Sequence, residues 1–148
     1  MSHAYVANFT HCIFSTKDRK NLISAELQPQ LYAYVMGTAR NLQITMIAVG
    51  GMPDHIHLLI AVPPAMALSV AIQKLKANSS RWMGEERLTF EWQKGYAAFS
   101  VSSSLVEAVT NYIRNQEQHH RVRNFEEELI ALLKKSGINY DAERIFAA

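Results

Sequence analysis

Pro53–Asp54–His55–Ile56–His57–Leu58–Leu59–Ile60 alternates as a β-strand requires. Successive strand side chains point to opposite faces, so His55 and His57 share a face about 7 Å apart at their Cα atoms, while Ile56 and Leu58 can turn into a core. Two imidazoles on one face can converge on one ion. Neutral imidazole suits several divalent metals, and a pair with no cysteine near it fits an open, reactive site better than a closed structural one. The plainer alternative is one hydrogen-bonded core histidine and one exposed histidine. The His-x-His pattern by itself does not separate the two.

This stretch reads as the second arm of an antiparallel hairpin. Its first arm is Gln43–Gly50, and Gly50–Gly51–Met52–Pro53–Asp54 supplies the turn. Upstream, Tyr5–Ser15 is rich in aromatic and β-branched residues and ends at the polar turn Thr16–Lys17–Asp18–Arg19–Lys20. Leu27, Leu31, Tyr34, Val35 and Leu42 then mark a helix, with Ser24 as cap or Pro29 as an opening residue. Downstream, Pro63–Pro64 stops the strand, and Leu68, Ile72, Leu75 and Trp82 line a second helix whose Lys74, Lys76, Asn78, Ser79 and Arg81 fall largely on polar faces. Phe90–Ser102 reads as a fourth strand or an extended arm leading into one. A third helix runs from a Ser104/Glu107 capping box to about His120, and a fourth from an Asn124/Glu127 box to Gly137. The order βαββαβ followed by two helices predicts an α+β, ferredoxin-like antiparallel sheet with helices on one face and additional C-terminal helices.

A length of 148 residues accommodates one domain, taken as 1–148, with a substantial core. The 49% hydrophobic and 19% charged content is that of a globular chain. No apolar run approaches the ~20 residues that span a bilayer, so no membrane association is expected. Met1–Ser15 lacks the pattern of a signal peptide, and a cytoplasmic location is expected. The single Cys12 reads as a core residue in a reducing compartment. A net charge of +2 means that nucleic-acid contact would need a local basic patch.

Tyr112 and Gln116 lie four residues apart on the third helix, hence on one face. Taken with Pro-Asp-His-Ile-His-Leu-Leu around His55 and His57, Phe14–Ser15–Thr16–Lys17–Asp18–Arg19, Gly95–Tyr96–Ala97–Ala98–Phe99–Ser100–Val101–Ser102, and Tyr112–Ile113–Arg114–Asn115–Gln116 followed by His119–His120, the chain resembles the single-tyrosine HUH transposases of the smallest bacterial insertion sequences and their domesticated REP-associated relatives. The resemblance extends from about residue 5 to 137.

It implies single-stranded DNA as substrate, with hairpin-containing element ends, and Mg²⁺ or Mn²⁺ held by His55, His57 and Gln116, a set that would also take Zn²⁺ in vitro. Tyr112 would attack a phosphodiester to give a 5′-phosphotyrosine and a free 3′-hydroxyl. Relatives also imply a homodimer with His55 and His57 of one chain facing Tyr112 of the other, a swing that the Ser102–Ser103–Ser104 segment would permit. Lys17, Arg19, Lys74, Lys76, Arg81 and Arg114 are candidate phosphate contacts, with Tyr96, Phe99 and Trp92 as stacking surfaces. Asp54 could hold a histidine or cap the turn. His119 or His120 could replace Gln116 as ligand, although a histidine at a helix end more often faces solvent. The alternatives are a catalytically idle DNA-binding relative and a metal-dependent hydrolase or structural zinc protein, in which Tyr112 would be incidental.

Overall fold

The structure, a computed structural model, describes residues 4–86, 89–120 and 123–145. Its strands are β1 (Phe9–Ser15), β2 (Thr45–Met52), β3 (His55–Ala61) and β4 (Ala97–Val101). Its helices are α1 (Gln28–Asn41), α2 (Leu68–Glu86), α3 (Val106–Arg114), α4 (Gln116–His119), α5 (Phe125–Lys135) and α6 (Ala142–Ile145). The strands form one sheet in the order β2-β3-β1-β4, and each adjacent pair is antiparallel. This is the expected ferredoxin-like arrangement.

The two faces of the sheet have different chemistry because strand side chains alternate. Cys12, Phe14, Ile56, Leu58 and Ile60 face α1 and α2, where Leu31, Val35, Ile72 and Leu75 complete the main core. Burial pushes the Cys12 thiol up to about 12. Ile13 and Leu59, on the alternate positions, meet the C-terminal helices: Ile13 packs with Phe125, Leu129 and Leu133, and Leu59 with Ala48 and Ile113. His55 and His57 belong to this second face, between α3 and α5.

Several boundaries differ from the sequence reading. β1 begins at Phe9, and Tyr5 is exposed. Only Ala97–Val101 of the fourth segment is strand; the arm before it bridges to Thr16 at Trp92. Ser79 is buried, because its hydroxyl accepts the Trp92 indole N–H at 2.9 Å. Ser104 does not form a capping box: Ser103–Leu105 is a 3-10 turn, and α3 starts at Val106 with no side-chain cap. The third helix is interrupted at Asn115 (φ −106°, ψ 32°), whose amide donates to the Asn111 carbonyl at 2.8 Å, an alternative to the helical ladder that asparagine readily takes. The Asn124/Glu127 capping box is formed.

Within the single chain, α3 docks on its own sheet. Ser103–Leu105 runs as a turn directly into α3, and Ile113 is fully buried against its own sheet. Tyr112 therefore lies over the histidines of its own chain. The close approach of α3 to β2 depends on Gly50, since a Cβ there would overlap the Ile113 carbonyl oxygen. Gly50→Val is expected to force helix and strand apart at a cost of about 1–3 kcal/mol. Urea unfolding midpoints of the two proteins check this, and an unchanged midpoint would mean that α3 is not docked here.

Candidate active site

The hairpin turn is fixed by neighbouring backbone. Thr16 N–H donates to the Asp54 carbonyl at 2.9 Å, and Ile23 N–H to the Pro53 carbonyl at 3.0 Å. Held in this way, Asp54 Oδ1 accepts from His55 Nδ1 at 2.7 Å. In its neutral form His55 then presents the lone pair of Nε2 inward. That atom is buried and makes no hydrogen bond with the described residues.

His57 is oriented from the opposite side. Its Nδ1 lies 2.8 Å from Nε2 of His11 on β1, and the two rings stack at 5.1 Å. An imidazole can accept or donate, so His11 can hold His57 whichever nitrogen carries the proton. His11 must stay neutral to do so. Burial, then the neighbouring His57, lowers its pKa from the usual value to about 3.

Both inward nitrogens meet one carboxylate. Glu128 Oε1 is 3.1 Å from His57 Nε2, 3.3 Å from His120 Nε2 and 3.5 Å from His55 Nε2. Its other oxygen, Oε2, accepts the Tyr112 hydroxyl. Burial opposes ionisation of Glu128, but the hydrogen bonds from imidazoles and phenol outweigh it and hold the carboxyl far below the ordinary range. Burial also dominates at His57 and lowers it. At His55, burial is outweighed by Asp54 and Glu128, and the pKa rises. Tyr112 is pushed up by burial and then by the adjacent carboxylate.

The residues fit a divalent cation. One donor atom from each of His55, His57, His120 and Glu128 lies within 4.8 Å of the others. Ligands about 2.1 Å from an ion stand at most ~4.2 Å apart, so a small contraction would suffice. The unpartnered His55 nitrogen points into this group. Gln116, buried at the start of α4, touches the edge: its Oε1 is 3.1 Å from His120 Nε2, while its amide donates to the Tyr112 carbonyl at 3.2 Å. His119 is exposed and stacks on Tyr112 at 4.5 Å. A cleft of about 450 Å³ opens here, lined by Tyr112, Gln118, His119, Arg123 and Glu128.

The predicted phosphate contacts are dispersed. Lys17 pairs with Glu91 at 3.1 Å and Arg19 with Glu126 at 2.6 Å. Lys76 donates to the carbonyls of Gln93 and Gly95 at 2.7 and 2.8 Å, and Arg81 to Asn78 at 2.9 Å. Lys74, Lys76 and Arg81 sit on α2, across the sheet from Tyr112. Lys74 and Arg114 are exposed, and Arg114 borders a second cleft with Gln116 and the hairpin turn. Trp92 and Phe99 are buried, so of the three aromatic candidates Tyr96 is the exposed one.

Residues 5–116 match the family model described as "Transposase IS200 like". The chain belongs to that family. It is 27% identical over 114 residues to the ISDra2 transposase TnpA of Deinococcus radiodurans, covering 72% of this chain and 81% of that one. It is 23% identical over 120 residues to the transposase for insertion sequence element IS200 of Salmonella typhimurium, with 76% and 78% covered. The crystal structure of a protein assigned as a transposase from Deinococcus radiodurans superposes with TM-score 0.63 at 25% identity, over 78% of this chain and 96% of that one. A REP-associated tyrosine transposase bound to a REP hairpin shares the fold, with TM-score 0.57 at 14% identity over 76% and 70%. Among the described residues of this IS200-like transposase, no helix is long and apolar enough to cross a membrane.

Three groups in the site were not anticipated from sequence. Glu128 occupies an apolar-stripe position, i+3 from Phe125 and beside Leu129, where a charge is out of place. His11 shares its face of β1 with Phe9 and Ile13, two residues to either side, which puts it on the face of the histidine pair. Arg123, in the cleft, carries no local signal. His11→Leu is expected to keep the fold but weaken divalent-metal binding about 10–100-fold, since His57 loses the partner that orients it. Calorimetric titration with Mn²⁺ measures this, and an unchanged affinity would show that the sheet alone orients His57.

Proposed function

We propose that this IS200-like transposase is a metal-dependent single-strand DNA transposase in which Tyr112 is the nucleophile. The observation that carries the reading is that the Tyr112 hydroxyl and the inward nitrogens of His55 and His57 meet on one side chain, at the floor of an open cleft. Phenol oxygen attacks phosphorus, the bond to the 3′-oxygen breaks, and the 5′-phosphate stays on the tyrosine. The freed 3′-hydroxyl can later attack the same linkage, so cutting and rejoining are one reaction run in two directions. Arg123, exposed in the cleft, provides positive charge for a phosphate.

Mg²⁺ or Mn²⁺ at His55 and His57, with Gln116 at the edge, would stabilise charge on the scissile phosphate. The substrate is unpaired DNA next to hairpins at element ends, a reading consistent with a fold shared with a protein bound to a REP hairpin. Lys17, Lys74, Arg81 and Arg114 serve as backbone contacts further along the strand, while Lys76 is held by the arm before β4 and Arg19 by Glu126. The working unit is a homodimer, which supplies two sites for two DNA ends, with His55 and His57 of one chain facing Tyr112 of its partner in the assembled dimer.

Tyr112→Phe is expected to abolish the covalent protein–DNA adduct while keeping the fold and DNA binding, at a stability cost of about 1–3 kcal/mol because Glu128 Oε2 loses its donor. A denaturing gel with labelled single-stranded DNA and Mn²⁺ reads this directly, and adduct from the variant would assign the nucleophile elsewhere. His55→Ala combined with His57→Ala is expected to reduce metal-dependent adduct below detection. Cleavage surviving both that substitution and EDTA would remove the ion from the mechanism. Free cleavage products without adduct would favour the hydrolase alternative, and DNA binding without cleavage the idle relative.

A further inference from the structure

Glu128 reaches the site from α5, beyond the residues 5–116 that match the family model. It is 3% exposed, and its two oxygens have separate tasks. Oε1 faces the nitrogens of His55, His57 and His120 at 3.1–3.5 Å, while Oε2 accepts the Tyr112 hydroxyl. The helix that carries it is anchored on both sides of this position: Phe125, Leu129 and Leu133 pack on Ile13 of the sheet, and the Asn124/Glu127 box fixes its first turn.

Resting on the tyrosine reading above, we propose that Glu128 is both a ligand of the divalent cation, through Oε1, and the positioning residue that holds the Tyr112 oxygen beside that cation, through Oε2. The geometry supports each half separately. A cation drawn toward the unpartnered His55 nitrogen enters a space already bounded by Oε1. The Tyr112 ring is bordered by His11, His57 and His119, and a fixed acceptor at its hydroxyl sets the direction of the oxygen itself. A carboxylate that bridges ion and nucleophile makes their separation a property of one rigid side chain rather than of two helices.

The test compares the full chain with Glu128→Gln and Glu128→Asp. Gln keeps the volume and a carbonyl acceptor for the phenol but removes the charge; Asp keeps the charge and shortens the reach. The first measurement is calorimetric titration with MnCl₂, and the second is single-turnover adduct formation on single-stranded DNA at saturating Mn²⁺. Glu128→Gln is expected to weaken Mn²⁺ binding at least tenfold, whereas Tyr112→Phe leaves that affinity unchanged. Glu128→Asp is expected to bind Mn²⁺ more tightly than Gln yet form adduct at least tenfold more slowly than wild type when saturated, because its shorter reach no longer places the phenol. Circular dichroism melting verifies that both variants fold. Wild-type affinity in Glu128→Gln overturns the ligand role, and a wild-type saturated rate in Glu128→Asp overturns the positioning role; either result sinks the proposal of one bridging carboxylate. If the wild-type chain forms no adduct with any single-stranded DNA, the tyrosine reading fails instead, and the Mn²⁺ titrations still decide whether Glu128 is a ligand.

Discussion

A buried carboxylate cannot keep its charge without partners, and Glu128 is buried to the level of the aliphatic core. The cost of withdrawing such a group from water is several kcal/mol, and it is offset only when hydrogen bonds satisfy most of its lone pairs. Here they come from β3, α3 and the residue after α4: imidazoles at one oxygen and a phenol at the other. The requirement runs in both directions. His55, His57 and Tyr112 would themselves be poorly satisfied polar groups on an otherwise apolar sheet face, so α5 cannot leave this face without stranding polar atoms on both sides. The site and the attachment of the C-terminal helices are one problem in electrostatics.

That problem is solved on a sheet whose two faces divide the work. The face toward α1 and α2 carries the main hydrophobic cluster and accounts for most of the buried hydrocarbon. The opposite face gives up part of its apolar area to histidines, and the remainder is split into two smaller clusters, one under α3 and one under α5. Each cluster fixes one helix, and the polar group lies between them. Tyr112 comes from the first and Glu128 from the second, so their contact reports that both helices are docked correctly. The absence of a side chain at Gly50 is what lets α3 approach closely enough for this.

The order of the elements and the shared face of His55 and His57 were legible because both are local properties. Alternation over eight residues and apolar spacing over a dozen carry their own geometry. Pairing was not legible. Lys76 looks like a phosphate contact in sequence, but its ammonium meets two carbonyls of the arm before β4, a neighbour about 17 residues away that no periodicity announces. Arg19 likewise finds Glu126. His11 and Glu128 were missed for the same reason: each is a single polar residue in an apolar pattern, and its meaning depends on which strand or helix lies opposite. The interruption at Asn115 sits between these cases, since the residue type hints at it but the docking of Ile113 fixes it.

The three functional alternatives make different demands on Tyr112. A structural metal site would close around its ion with a full set of protein ligands and would have no use for a hydroxyl at an open cleft. A hydrolase needs a path for water to the phosphate, and the position nearest the carboxylate would have to be kept for that water rather than given to a phenol. In this chain the phenol holds that position, with an exposed arginine lining the same cleft. An idle DNA-binding relative could keep the buried carboxylate for its hold on α5 alone, so the covalent adduct, and not the burial of Glu128, is what separates it from the nucleophile proposed above.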